Sequence, residues 1–188
     1  ILCVSRRSAE HAREVATTYL EKTLKLKVNT DKTHVTNCVK GIKFLGVVIF
    51  HNYTVIQVQK IVEFKKKVKA LTKRNQCINL KMVIQRLNPI LRGFANYFRI
   101  ANCKSLFKNL MSWIRRRLRA FQLLQWKKPG RLHRHLRQIG YFGDFPKIKM
   151  NSWRNSLCRL TSMAIPNSWL VDNGLFEMDS IDCGLIVS

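Results

Sequence analysis

Four arginines, Arg115, Arg116, Arg117 and Arg119, fall within five positions of a stretch whose other residues are largely apolar. A guanidinium is a planar fork of donors that grips a carboxylate or a phosphate through two hydrogen bonds. Carboxylates are not at hand: from Lys65 to Gly143 the sequence has 21 Lys or Arg and no Asp or Glu. Solvated helix faces usually mix Glu with Lys or Arg at i, i+4, and this stretch cannot. A surface of one sign repels itself, so phosphate contact outweighs a plain solvated face, and nucleic acid is the expected polyanion. The same role is expected of Lys65, Lys66, Lys69, Lys73 and Arg74, of Arg86, Arg92 and Arg99, and of Lys127 and Lys128. It extends to Arg131, Arg134 and Arg137.

Aromatic residues interleave with this charge. Phe94 and Phe98 read as core, whereas Trp126, beside Lys127-Lys128, reads equally as core and as a platform for base stacking. Catalytic chemistry is thin. No two of the ten carboxylates stand at a spacing useful for metal-ion chemistry, and only Asp31 sits among polar turn residues near strands. A zinc site from Cys103, His133, His135 and Cys158 matches no standard finger spacing, so no metal site is assigned. His133 and His135 flank Arg134 and read as helix-surface or RNA-contacting residues. The six scattered cysteines form no CxxC and read as reduced thiols of an intracellular protein.

The elements that must position these residues follow from periodicity. The composition is 46 % hydrophobic, enough for a core, and no apolar run is long enough for a membrane span. The net charge of +25 is uneven: residues 160–188 hold four acidic and no basic side chains, and the end from Asp172 reads as loosely ordered. The chain begins without Met, so a piece of a longer protein is expected. Ile1–Val4 reads as a short strand, and a helix capped by Ser8 runs to about Lys25. Leu26–Thr36 reads as strand, turn and strand; Ile42–Phe50 and Tyr53–Val58 read as a hairpin around His51-Asn52. After Gln59 the period lengthens to 3.6. One helix carries Ile61, Phe64, Val68 and Leu71; a second starts near Leu80 and restarts at Asn88-Pro89. A third, Lys104–Trp126, turns Phe107, Leu110, Met111, Ile114, Leu118 and Phe121 inward and sets Arg115, Arg116 and Arg119 on the opposite face. Pro129-Gly130 ends it; Arg131–Ile139 and Ser152–Ser162 read as short helices. The expected fold is α+β: a small α/β piece at 1–59, a basic three-helix bundle at 60–128, a helical appendix at 129–171 and an acidic tail at 172–188.

Several motifs in this order resemble the C-terminal part of reverse transcriptases encoded by group II introns, which are also maturases. They are Asn29-Thr30-Asp31-Lys32-Thr33, Phe44-Leu45-Gly46, the run from Leu87 through Asn88-Pro89 to Phe98, Trp113–Arg119 and Gln125–Pro129. The resemblance implies that Ile1–Ser5 is the strand leaving a YADD hairpin whose aspartates hold the polymerase metals. It implies that Lys32 protonates or neutralises the leaving pyrophosphate in a loop shaped by Asn29 and Thr33, and that Phe44-Leu45-Gly46 is the turn that grips the primer strand. It also implies that 60–128 is the thumb, or maturase domain, and that 129–171 contacts DNA. The YADD motif and the cysteine pairs of an HNH nuclease are absent from this sequence, so it is expected to be inactive alone, with Mg2+ serving the intact polymerase.

The expected partners are intron RNA, an RNA template with its DNA primer and, further, target DNA. The expected setting is an intron ribonucleoprotein in a bacterial cytoplasm or an organelle. A stand-alone RNA chaperone without polymerase activity, or a DNA-binding protein unrelated to introns, would share the basic helices. Replacing Arg115, Arg116 and Arg119 with Gln is expected to weaken RNA binding and leave thermal stability near wild type.

Overall fold

The structure, a computed structural model, describes residues 3–146 and 148–184. The chain divides into two compact units, Ile1–Thr54 and Val55–Ser188. Each is built around short-range signals, and the second holds nearly all of the fully buried core.

In the first unit, helix α1 spans Arg6–Lys22. Its cap is Ser5, not Ser8: Ser5 is extended, and its hydroxyl accepts from the Ser8 backbone N–H at 3.2 Å. Arg6 and Arg7 are good helix formers, so the helix starts earlier than the polar Ser8 suggests. The expected strand at Ile1–Val4 is not formed at Cys3 and Val4, and Ile1 and Leu2 lie outside the described residues. Of the expected strand–turn–strand at 26–36 only the turn exists, a 3₁₀ turn at Thr30–Lys32. No neighbouring strand pairs with its flanks, and an unpaired strand has no ladder to hold it.

The hairpin also differs from expectation. Strands β1 (Ile42–Phe44) and β2 (Val47–Ile49) pair antiparallel, with Phe44 opposite Val47, so Leu45-Gly46 is itself a two-residue turn. Both turn residues have positive φ, 44° and 82°, the pattern of the primed turn that suits right-twisted strands. Strand β3 (Thr54–Ile56) follows across His51-Asn52 and completes the sheet in the order β1-β2-β3. Gly41, with φ 77°, opens β1; an added Cβ would lie 2.8 Å from both Phe50 and Val48 side-chain carbons.

In the second unit, helices α2 (Val58–Leu71), α3 (Leu80–Phe98) and α4 (Lys104–Trp126) pack in succession. Phe94 ties them together. Its ring stacks on Phe64 of α2 at 4.1 Å, with Phe98 at 4.7 Å and Phe107 of α4 at 6.1 Å. All six predicted inward residues of α4 are buried, and the helix has the predicted bounds. The predicted restart at Asn88-Pro89 is corrected: α3 runs through Pro89 unbroken. Asn88 is not a cap. Its amide donates to the Gly174 carbonyl at 2.7 Å and accepts from the Phe176 N–H at 3.0 Å, tying the helix to the C-terminal segment.

Helix α4 ends at Lys127, which has φ 59°, and Pro129 opens the next helix rather than ending the last. Helix α5 (Pro129–Gln138) puts proline in its first turn, where the missing N–H costs nothing. The single helix expected at 152–162 is split into a 3₁₀ turn (Arg154–Leu157) and α6 (Arg159–Ala164). Hydroxyls cause the split: Ser156 donates to the Trp153 carbonyl at 2.7 Å and Thr161 to that of Asn155 at 2.8 Å. Helix α7 (Asn167–Asp172) and a 3₁₀ turn at Met178–Ser180 follow. The expectation of a loose end is overturned through residue 184, because Leu175 and Met178 are buried and the Gly184 N–H donates to the Arg99 carbonyl at 2.8 Å. Among the described residues no helix is long and apolar enough to cross a membrane.

Two consequences are measurable. Asn88→Ala removes both bonds to the C-terminal segment and leaves a carbonyl and an N–H without partners. Urea unfolding should show a loss of about 2 kcal/mol, where an exposed amide would cost almost nothing. Burial and the neighbouring Cys183 thiol push the Cys103 thiol up to about 12, so it stays protonated at pH 8. Maleimide at that pH should label exposed Cys77 and leave Cys103 unmodified in the folded protein.

Candidate nucleic-acid interface

Each basic residue has a place set by its helix, and the places fall into three kinds. The first is a row of cations alternating with indoles. Lys65 on α2 stands 5.9 Å from the Trp113 ring of α4. Arg117, one helical turn further on, lies 5.3 Å from Trp113 on one side and 5.3 Å from Trp153 on the other. Arg116 and Arg74 complete the row at 5.2 and 5.7 Å from Trp153. An indole face attracts a cation, so Trp113 partly compensates two like charges and Trp153 three.

Hydrogen bonds fix the row. The Arg117 Nε donates to the Thr72 hydroxyl at 2.6 Å, and Thr72 in turn donates to the Val68 carbonyl at 2.7 Å. Arg74 donates to the Asn151 carbonyl at 2.8 Å, holding the segment that carries Trp153. The Arg116 Nε is buried with no hydrogen-bond partner among the described residues. Burial, and then the charge of Arg74, lower the pKa of Arg117. Among the described residues, none of these four cations has a carboxylate within salt-bridge distance.

The second kind is freely exposed. Lys66, Lys69 and Lys73 stand outward along and just beyond α2, as do Arg86, Arg92 and Arg99 on and after α3. Lys127 and Lys128 are exposed in the α4–α5 link, and Arg131, Arg134 and Arg137 are exposed along α5 at a spacing of three. Two of these lean on aromatic rings: Arg92 on Phe176 at 4.7 Å and Arg137 on Phe145 at 5.2 Å.

The third kind corrects the expected placement of Arg115 and Arg119. They do not point away from the protein. The Arg115 side chain is 11 % exposed and spans Glu177 at 2.6 Å and Asp179 at 3.1 Å. Arg119 donates to the Ile165 carbonyl and the Asn167 side chain, both at 2.8 Å. Burial, and then the charge of Arg115, lower its pKa. Later segments of the chain cover α4 at Arg115 and Arg119, so these two guanidiniums lie against protein. His135 is corrected likewise: its Nε2 lies 2.9 Å from the Ala164 carbonyl, its ring 5.4 Å from the half-buried Trp126.

In the first unit, Lys32 is exposed in its 3₁₀ turn. Asn29 caps that turn, accepting from the Lys32 N–H at 3.1 Å, while the Thr33 hydroxyl donates to the Asn29 carbonyl at 2.8 Å. Phe44 and Leu45 stand exposed at the hairpin tip beside Gly46. Trp153 and the acidic pair Glu177 and Asp179 are not singled out by the sequence, and Asn88 is singled out only as a helix cap and within a motif. The one available signal was Trp153 itself, a large aromatic between Asn151-Ser152 and Arg154.

These features describe a mainly helical, strongly cationic α+β protein with an ordered row of cations lacking carboxylate partners. Residues 61–142 match the family model of the group II intron maturase-specific domain, from within α2 to just beyond α5. The match over residues 61–142 supports a maturase-specific domain in this part of the chain. No curated protein matches the chain.

The placement of Arg115 reverses the expected effect of its loss. Arg115→Gln strands two partly buried carboxylates, and half-exposed Glu177 limits the cost to about 2 kcal/mol. Thermal unfolding should register it, while Lys66→Gln should leave the Tm within error.

Proposed function

We propose that the chain binds intron RNA along the row Lys65–Trp113–Arg117–Trp153 and the exposed lysines of α2, and stabilises the splicing-competent RNA fold. What carries this is the row itself: cations gathered by the fold and, among the described residues, a buried Arg116 Nε without a partner and no carboxylate in salt-bridge distance of the row. Phosphates would fill that need, and an A-form groove is read through its shape and backbone rather than through its base edges. The splicing chemistry belongs to the RNA.

In an intact reverse transcriptase the same helices would serve as the thumb on an RNA template with its DNA primer. Phe44, Leu45 and Gly46 would then hold the primer strand, Lys32 would face the leaving pyrophosphate, and α5 with its arginines would approach target DNA. Mg2+ would serve carboxylates that this sequence does not contain. The described residues hold no group of three or more His, Cys, Asp or Glu suited to a metal ion.

The test is a salt titration. Lys65, Lys66, Lys69 and Lys73 changed together to Gln should lower affinity for structured intron RNA by more than about tenfold. The slope of log K against log salt should become shallower by about 3, with the Tm held. Equal affinity and equal slope for intron RNA and for duplex DNA of the same length would overturn the assignment to intron RNA.

A further inference from the structure

An open cleft of about 370 Å³, separate from the cation row, lies where α3, α4, α5 and α7 meet. Its walls include Trp126, His135 and Trp169, with the amides of Gln122, Gln125 and Asn173 between them. The rings are held apart at fixed positions. His135 is pinned through Nε2 to the Ala164 carbonyl, and its ring lies 5.4 Å from Trp126 and 6.2 Å, edge-on, from Trp169. Among the described residues Lys81 is the one lysine or arginine lining the cleft, too little charge for a phosphate site by itself.

The amides have a defined polarity. Gln125 bonds to the Ile78 carbonyl, and Asn173 to the Trp169 carbonyl at 2.8 Å. A carbonyl accepts only from the amide nitrogen, so both side chains are left with an open acceptor oxygen. Gln122 makes no hydrogen bond among the described residues, and it keeps both functions. The cleft therefore offers flat aromatic faces, an acceptor-rich edge and one cation.

We propose that this cleft takes an unpaired nucleobase of bound RNA, stacked against the indoles and hydrogen-bonded along its edge by Gln122, Gln125 and Asn173. Lys81 then lies toward the nucleotide's phosphate. Open acceptors favour a base with an exocyclic amino group, so adenine, cytosine and guanine are preferred to uracil. Loops and bulges present such bases splayed out of the helix, where aromatic side chains can stack on them. The proposal rests on the chain binding RNA, and supplies the sequence preference that phosphate contacts cannot.

The experiment uses the full chain and single-stranded RNA octamers carrying one central 2-aminopurine, whose fluorescence is quenched on stacking. Wild type should quench the probe. It should also bind octaadenylate and octacytidylate about fivefold more tightly than octauridylate, the worth of about one hydrogen bond. Trp169→Leu should weaken binding about tenfold, and Trp169→Phe should restore most of it. Gln122→Ala, on the surface of α4, should narrow the preference over uridylate and serves if Trp169→Leu fails to fold. Equal binding of all three octamers, with no effect of either substitution and intron RNA still bound with its salt slope, would overturn the base site alone. Loss of intron RNA binding by wild type would remove the RNA assignment and the base site together.

Discussion

Twenty-one positive charges between Lys65 and Gly143, with no carboxylate among them, have to be held in one folded body. Two such charges about 6 Å apart repel by roughly 3 kcal/mol at an effective dielectric of 20. A cation over an aromatic face recovers only about 0.5–2 kcal/mol. Indoles therefore moderate the repulsion around Trp113 and Trp153 without cancelling it. That imbalance decides the structure. The charges are spread on long exposed stems, donated to backbone carbonyls, or paired with acids from a distant part of the chain.

The distant part is the C-terminal segment. Glu177 and Asp179 close on Arg115, Asp182 reaches Lys104 at 3.3 Å, and Asn88 and the Arg99 carbonyl anchor the backbone on either side of them. These contacts convert one side of the basic bundle into interior. On the other side, α2 carries Glu63, which pairs with Lys60 at 3.0 Å, and the cations around Trp113 and Trp153 have no ion pair among the described residues. The fold thus sorts like residues on a single helix turn: Arg115 and Arg119 hold the C-terminal segment, while Arg116 and Arg117 join the cation row.

Much of the fold was legible because it is local. The change from period 2 to period 3.6 near Gln59 and the bounds of Lys104–Trp126 follow from patterns a few residues long. So does the inward face of that helix, since Phe107 to Phe121 recur at helical spacing. Errors fell where a local signal competed with tertiary contacts. Asn88-Pro89 looks like a cap and first-turn proline, but packing on both sides of α3 carries the helix through. The residue pattern ran a strand through Leu45-Gly46, because a primed turn leaves no composition signal beyond one glycine, and only the resemblance implied a turn at Phe44-Leu45-Gly46.

The sequence by itself determined the sign of the charge, the acid-free stretch, the helices and the motifs that resemble a maturase. These depend on neighbours within about four positions or on composition. Only the tertiary structure decided which arginines are surface and which are staples. Arg115 meets its carboxylates 62 and 64 residues away, and Arg117 meets Thr72 45 residues away. A helical period gives every residue a direction, but not what stands in that direction. For Arg115 it was an acidic segment, and for Arg116 and Arg117 an indole, so equal side chains one and two positions apart acquired opposite tasks.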